Sequence, residues 1–161
     1  MALIVQKYGG TSVADLDRIR NVARRVVKTH GQGDDVVVIL SAMAGVTDNL
    51  INLAHRVSPT PDRRELDVLL ATGEQTTAAL LAMTLKEMRY PAESILGHQA
   101  EVLTDCDFGN ARIIGIGAER IRRLVDQRKI VVVAGFQGSD AEGNITTLGR
   151  FKSALTAAIS A

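Results

Sequence analysis

A chain of 161 residues fits one domain, or a piece of a larger one, and is long enough to bury a real core. Its 19 basic and 18 acidic residues nearly cancel, aromatic residues make up 3% and tryptophan is absent. These features exclude the basic footprint and stacking platforms of nucleic-acid binding, and any charge excess suited to an acidic membrane surface. The lone cysteine, Cys106, cannot form an internal disulfide and fits a reducing, cytoplasmic setting. No apolar run reads as long enough for a signal peptide or a membrane span.

Leu3 to Tyr8 reads as a short strand that runs into Gly9-Gly10, then Thr11-Ser12 and a helical pattern. Adjacent glycines let the backbone turn sharply and approach a ligand closely. The amides of a helix's first turn lack internal partners and carry the positive end of the dipole, a geometry that binds phosphate. Lys7 adds a full charge at the same spot. An ordinary strand-to-helix turn with an exposed lysine has the same pattern, so spacing alone leaves both readings open. Ser12 and Asp15 have capping-box spacing, which places the helix start there.

Residues 13–27 put Val13, Leu16, Ile19, Val22, Ala23, Val26 and Val27 on one face, the mark of an amphipathic helix, and Gly31 and Gly33 end it. Val36 to Leu40 is a continuous apolar, β-branched run and predicts a strand buried on both faces. Ser41 to Asp48 is a small-residue loop leading into a helix over 48–57. Pro59 and Pro61 end that pattern. Residues 63–89 read as helical, with a bend or break at Thr72-Gly73-Glu74, because an interior glycine costs about 1 kcal/mol against alanine. A short strand at 93–97, an extended piece at 112–114 and a helix over 117–128 follow. Ile130 to Ala134 is a second buried strand, ending at Gly135-Phe136-Gln137-Gly138. Ile145 to Thr147 is a short strand, and Phe151 to Ala161 predicts a short Ala-rich helix. Alternating strands and helices predict an α/β fold with a mostly parallel sheet, the two strong strands lying centrally beside Leu3–Lys7. Ligands bind outside the carboxyl ends of such strands, so Lys7–Gly10, Ser41–Gly45 and Gly135–Gly138 are expected to converge.

No G-x-x-x-x-G-K-[ST] is present, and the G-x-G-x-x-G begun at Gly115 has Arg120 in its last glycine position. His30, His55 and His98 lack metal-ligand spacing, and Asp105-Cys106-Asp107 suits a loop better than a metal site.

Five motifs at these strand ends and helices carry a specific resemblance. Lys7-Tyr8-Gly9-Gly10-Thr11-Ser12, Ser41-Ala42-Met43-Ala44-Gly45-Val46-Thr47-Asp48, Ala71-Thr72-Gly73-Glu74, Gly135-Phe136-Gln137-Gly138 and Thr146-Thr147-Leu148-Gly149-Arg150 occur in the order found in aspartate kinases of the amino acid kinase family. The resemblance covers residues 1–150. It implies a three-layer α-β-α sandwich of the carbamate kinase-like type, and transfer of the ATP γ-phosphoryl group to the side-chain carboxylate of L-aspartate, the first step towards lysine, threonine and methionine. Such transfer depends on positioning and charge neutralisation more than on covalent chemistry. By resemblance, Lys7 is catalytic, and Lys7, Gly9, Gly10, Thr11 and Ser12 hold phosphate. Glu74 meets the substrate ammonium, Arg150 forks onto its α-carboxylate, and Ser41, Thr47 and Phe136 line the pocket. Without the resemblance, Glu74 and Arg150 read as surface residues.

After Arg150 the pattern departs from the family: Phe151-Lys152-Ser153-Ala154 stands where the family has Gly-Gly-Ser-Asp. Residues 151–161 are therefore expected to be a divergent tail, and the chain a truncated, amino-acid-binding part of such a kinase. ATP and Mg2+ are the expected cofactors, held mainly by a nucleotide-binding half that is not among these residues. The polypeptide alone is expected to be inactive, and to form a homo-oligomer or pair with a full-length subunit. The alternatives are a kinase for N-acetylglutamate or glutamate, and a non-catalytic binding or interaction fragment.

Overall fold

The computed structural model describes residues 2–149. In chain order these form β1 (Leu3–Tyr8), a 3-10 turn (Gly10–Val13), α1 (Leu16–Gly31), β2 (Asp35–Leu40), α2 (Val46–Val57) and α3 (Arg63–Glu87). There follow β3 (Ala92–Ile95), β4 (Val102–Thr104), β5 (Ile113–Ile116), α4 (Glu119–Asp126), β6 (Ile130–Ala134), β7 (Gln137–Ser139) and β8 (Ile145–Thr147). Arg150 and the expected tail helix over 151–161 lie outside the described residues.

The main sheet has strand order β1-β2-β6-β3 and is parallel throughout. The two β-branched runs are its inner strands, as their composition predicts. Every residue from Val36 to Leu40 and from Ile130 to Ala134 is buried. Only β2 lies next to β1, however; β6 is one strand further in. Alternate residues serve opposite layers. Val36, Val38, Leu40, Ile130 and Val132 pack with Ile19, Val22 and Val26 of α1 and Leu81 and Leu85 of α3. Val37, Ile39, Val131 and Val133 pack with Ile121 and Leu124 of α4 and with Ile95, Ala100 and Val102.

A second sheet was not apparent in the sequence. Its order is β5-β4-β7-β8, and its pairings are antiparallel except β4 with β7. Two of its strands match sequence expectations, β8 at Ile145–Thr147 and β5 overlapping the extended piece at 112–114. Strands of three or four residues are too short to display a period, so β4, β7 and the pairing itself did not show.

Helices α2, α3 and α4 lie within two residues of their expected ends, and two larger differences stand out. The Ser12–Asp15 capping box does not form. Asp15 is itself the N-cap of α1, its carboxylate accepting the Arg18 N–H at 2.8 Å, and Ser12 sits in the preceding 3-10 turn. More consequentially, α3 runs unbroken through Gly73. A Cβ built on Gly73 would lie 2.9 Å from the Ala42 Cβ. The glycine is there for close approach between helix and loop, and tertiary packing outweighs its propensity cost. Unbroken, α3 is by length and composition apolar enough to cross a membrane, contrary to the sequence expectation. Half of its apolar window is buried inside the molecule, as in the core helix of a globular domain.

Candidate functional site

The carboxyl ends of β1, β2 and β6 meet, as the parallel order requires. The Ser41 N–H donates to the Tyr8 carbonyl at 3.1 Å, and the Gly135 N–H donates to the Leu40 carbonyl at 2.9 Å. Gly10 lies so close to the second loop that an added Cβ would stand 2.9 Å from the Ala42 carbonyl oxygen. Ala42 is thus touched by the glycine turn on one side and by Gly73 of α3 on the other.

Glu74 completes this junction. It is 3% exposed, and its Oε1 accepts the Ala42 N–H at 3.1 Å. A surface glutamate in mid-helix, the reading available without the family resemblance, is ruled out. The burial of a carboxylate at the meeting point of three strand-end loops gives the site a fixed acceptor group.

Of the other residues singled out from sequence, Lys7 is exposed near the end of β1, in register with Ile39. Gly9 is exposed with open space where a Cβ would be, and Thr11 and Ser12 are exposed in the 3-10 turn. The Arg18 guanidinium fastens that turn by donating to the Thr11 carbonyl at 2.8 Å. Ser41 follows β2, and Thr47 lies in the first turn of α2, which Gly45 opens with φ 81°. Phe136 has φ 64°, the left-handed region that a bulky residue enters only when its surroundings impose it. The Leu148 N–H donates to its carbonyl at 2.9 Å, which brings the Gly135–Gly138 turn beside the fifth motif. Lys7, the Gly9–Ser12 turn, Ser41 and Phe136 therefore lie on joined strand ends, and Glu74 reaches them from α3 through the Ala42 amide. Arg150, immediately after Gly149, lies outside the described residues.

Sequence reasoning missed two buried polar groups beside these loops. Asp67 is fully buried and accepts the Thr147 N–H at 2.8 Å, the Thr147 hydroxyl at 2.7 Å and the Gly109 N–H at 3.0 Å. Gln137, 1% exposed, donates through Nε2 to the Ala71 carbonyl at 2.9 Å and accepts at Oε1 from Gln75 at 3.3 Å. The available signal was spacing: 67, 71 and 74 fall on one face of a helix. Among the described residues, no cluster of His, Cys, Asp or Glu could hold a metal ion.

The model of the amino acid kinase family matches residues 2–161. The chain belongs to the amino acid kinase family. Within it, the chain is 55% identical over 157 residues to an aspartokinase of Bacillus sp. (strain MGA3), an alignment covering 98% of this chain but 38% of that protein. Among solved structures it superposes on aspartate kinase from Synechocystis with TM-score 0.77 and 43% identity, over 96% of this chain and 25% of the other. It also superposes on E. coli aspartokinase III in complex with lysine and aspartate, with TM-score 0.82 and 25% identity, over 98% of this chain and 46% of the other. This amino acid kinase chain thus spans less than half the length of each of these aspartokinases. The expected three-layer, mostly parallel architecture holds for the main sheet, with the small mixed sheet as the addition.

Proposed function

We propose that these residues form the acceptor side of an aspartate kinase, the half-site that holds L-aspartate for phosphorylation on its side-chain carboxylate. The observation that carries this reading is Glu74: a buried carboxylate fixed on the Ala42 amide, where the first, second and fourth motifs converge. A carboxylate held at that place is chemically matched to the free ammonium of an amino acid, which it can receive by a charged hydrogen bond. N-acetylglutamate has no ammonium to offer this carboxylate, which disfavours it as acceptor. Arg150 is the proposed partner of the α-carboxylate, with Ser41, Thr47 and Phe136 as walls.

ATP, when bound, supplies the γ-phosphoryl group. On this chain the fitting residues are Lys7 and the backbone of Gly9 to Ser12, a turn open to solvent at Gly9 and braced against Ala42 at Gly10. Lys7 would neutralise charge on the transferring group, and the turn amides would orient its oxygens. Among the described residues, no group of three or more His, Cys, Asp or Glu could hold Mg2+. The adenine and metal sites are proposed to come from a nucleotide-binding half. Pairing with such a half or with a second copy, and a cytoplasmic setting, belong to the same reading.

The test is an assay of γ-phosphoryl transfer from ATP with magnesium, offering L-aspartate, L-glutamate and N-acetyl-L-glutamate. It is run on the chain alone and on the chain extended by an aspartokinase nucleotide-binding half. Preferential phosphorylation of aspartate by the extended protein is expected, with little turnover by the chain alone. Preference for either other acceptor overturns the reading.

A further inference from the structure

Helix α3 touches the strand-end loops through three polar groups at successive turns of one face. Asp67 takes two backbone amides and the Thr147 hydroxyl, the Ala71 carbonyl takes Gln137, and Glu74 takes the Ala42 amide. Residues spaced four and three apart share a face, and seven residues of helix span about 10 Å. The helix therefore spaces the end of β8, the start of β7 and the β2–α2 loop along one rigid rod. Glu74 is at one end of this series and Asp67 at the other.

Resting on the acceptor-site reading above, we propose that Asp67 is a positioning residue for acceptor binding. It fixes the end of β8, and so Leu148, whose N–H donates to the Phe136 carbonyl, at a set distance from Glu74; Arg150 follows two residues later in the sequence. Its carboxylate accepts both the Thr147 N–H and the Thr147 hydroxyl, so the strand can neither slip along its axis nor rotate about it. The Gly109 amide on the same carboxylate joins the neighbouring loop, where Ala111 bridges to Leu148. The requirement is for acceptor geometry and not for charge. Asparagine keeps it, with Oδ1 receiving the two amides and Nδ2 donating to the Thr147 hydroxyl. Alanine leaves the buried donors without acceptors.

The experiment is an NMR-monitored titration of the 161-residue chain with L-aspartate, with the folded fraction of each variant measured by circular dichroism. Asp67→Ala is expected to weaken binding roughly tenfold or more, and Asp67→Asn to stay within about threefold of the parent. Because Asp67 acts through the end of β8, Asp67→Ala should add less than about twofold in an Arg150→Ala background. Thr147→Val tests the same anchor if Asp67→Ala does not fold, and should weaken binding about threefold or more. Unchanged affinity in folded Asp67→Ala overturns the proposal while leaving the acceptor site in place. So does equal weakening with and without Arg150, or loss of folding in both anchor variants, since either makes Asp67 a stability residue only. If the parent chain does not bind aspartate, the same variants are titrated in the chain extended by a nucleotide-binding half, and absence of binding there removes the acceptor reading and this inference with it.

Discussion

Gly73→Ala separates two opposed physical effects. By helix propensity, alanine in the interior of α3 is better than glycine by about 1 kcal/mol. By packing, its Cβ would stand 2.9 Å from the Ala42 Cβ and 3.4 Å from Val46 Cγ1. Ordinary carbon–carbon contact is about 3.5–4.0 Å, so the helix or the loop must move by roughly half an ångström or more. Ala42 is held between the Gly10 turn and the Glu74 carboxylate, and a shift there strains both. Overpacking of this kind costs about 1–3 kcal/mol, which leaves a net loss between roughly zero and 2 kcal/mol where propensity alone predicts a gain. Urea denaturation with an unchanged slope reads the difference directly. Combining Gly73→Ala with Ala42→Gly removes the clashing carbon, and the pair should show a favourable coupling of about 1 kcal/mol or more. If Gly73→Ala stabilises the chain and the two changes add independently, the close-approach explanation of this glycine is wrong.

Leu81, fully buried against the main sheet, should cost about 2–5 kcal/mol when changed to alanine, seen as a lower urea midpoint. The hydrogen bond from Lys129 holds the Glu93 carboxyl below its usual range, aided by Arg120 and opposed by partial burial. The group therefore adds stability above its unfolded-state pKa and loses it as pH falls through the lowered folded value. Glu93→Gln should flatten the acid side of the stability profile, between about pH 5 and pH 3. In the protein extended by a nucleotide-binding half, Lys7→Ala should lower turnover roughly a hundredfold or more while changing the aspartate requirement little. The opposite pattern assigns Lys7 to ground-state binding.

The parts of the fold legible in sequence are those that rest on long-range burial. Val36–Leu40 and Ile130–Ala134 read as inner strands because a continuous β-branched run has no exposed face to offer, and both are buried throughout. The α1 stripe is equally plain, since its apolar positions repeat at the helical period. What failed to show depends on partners distant in sequence. Gly73 reads as a helix breaker until Ala42 is placed beside it. Asp67, between Leu66 and Val68, drew no reading from the sequence, because its donor Thr147 lies eighty residues on. The three-residue strands β4 and β7 exist only through their pairings, whereas β8 was read at its observed bounds, Ile145–Thr147. Within the candidate site, the converging strand ends were readable from topology rules alone. The role of Glu74 needed the family motif, and its burial needed the structure.

The account turns on the Glu74 charge, and Glu74→Gln isolates it. Glutamine retains an oxygen for the Ala42 amide and nearly the same volume, so the loop geometry is preserved while the charge is removed. The decisive measurement is the affinity of the folded Glu74→Gln chain for L-aspartate beside that of the parent. A charged hydrogen bond to a substrate ammonium is worth about 1.5–3 kcal/mol, so binding should weaken roughly tenfold to a hundredfold. Equal affinity in the two proteins would contradict the claim that this buried carboxylate receives the amino group of the acceptor.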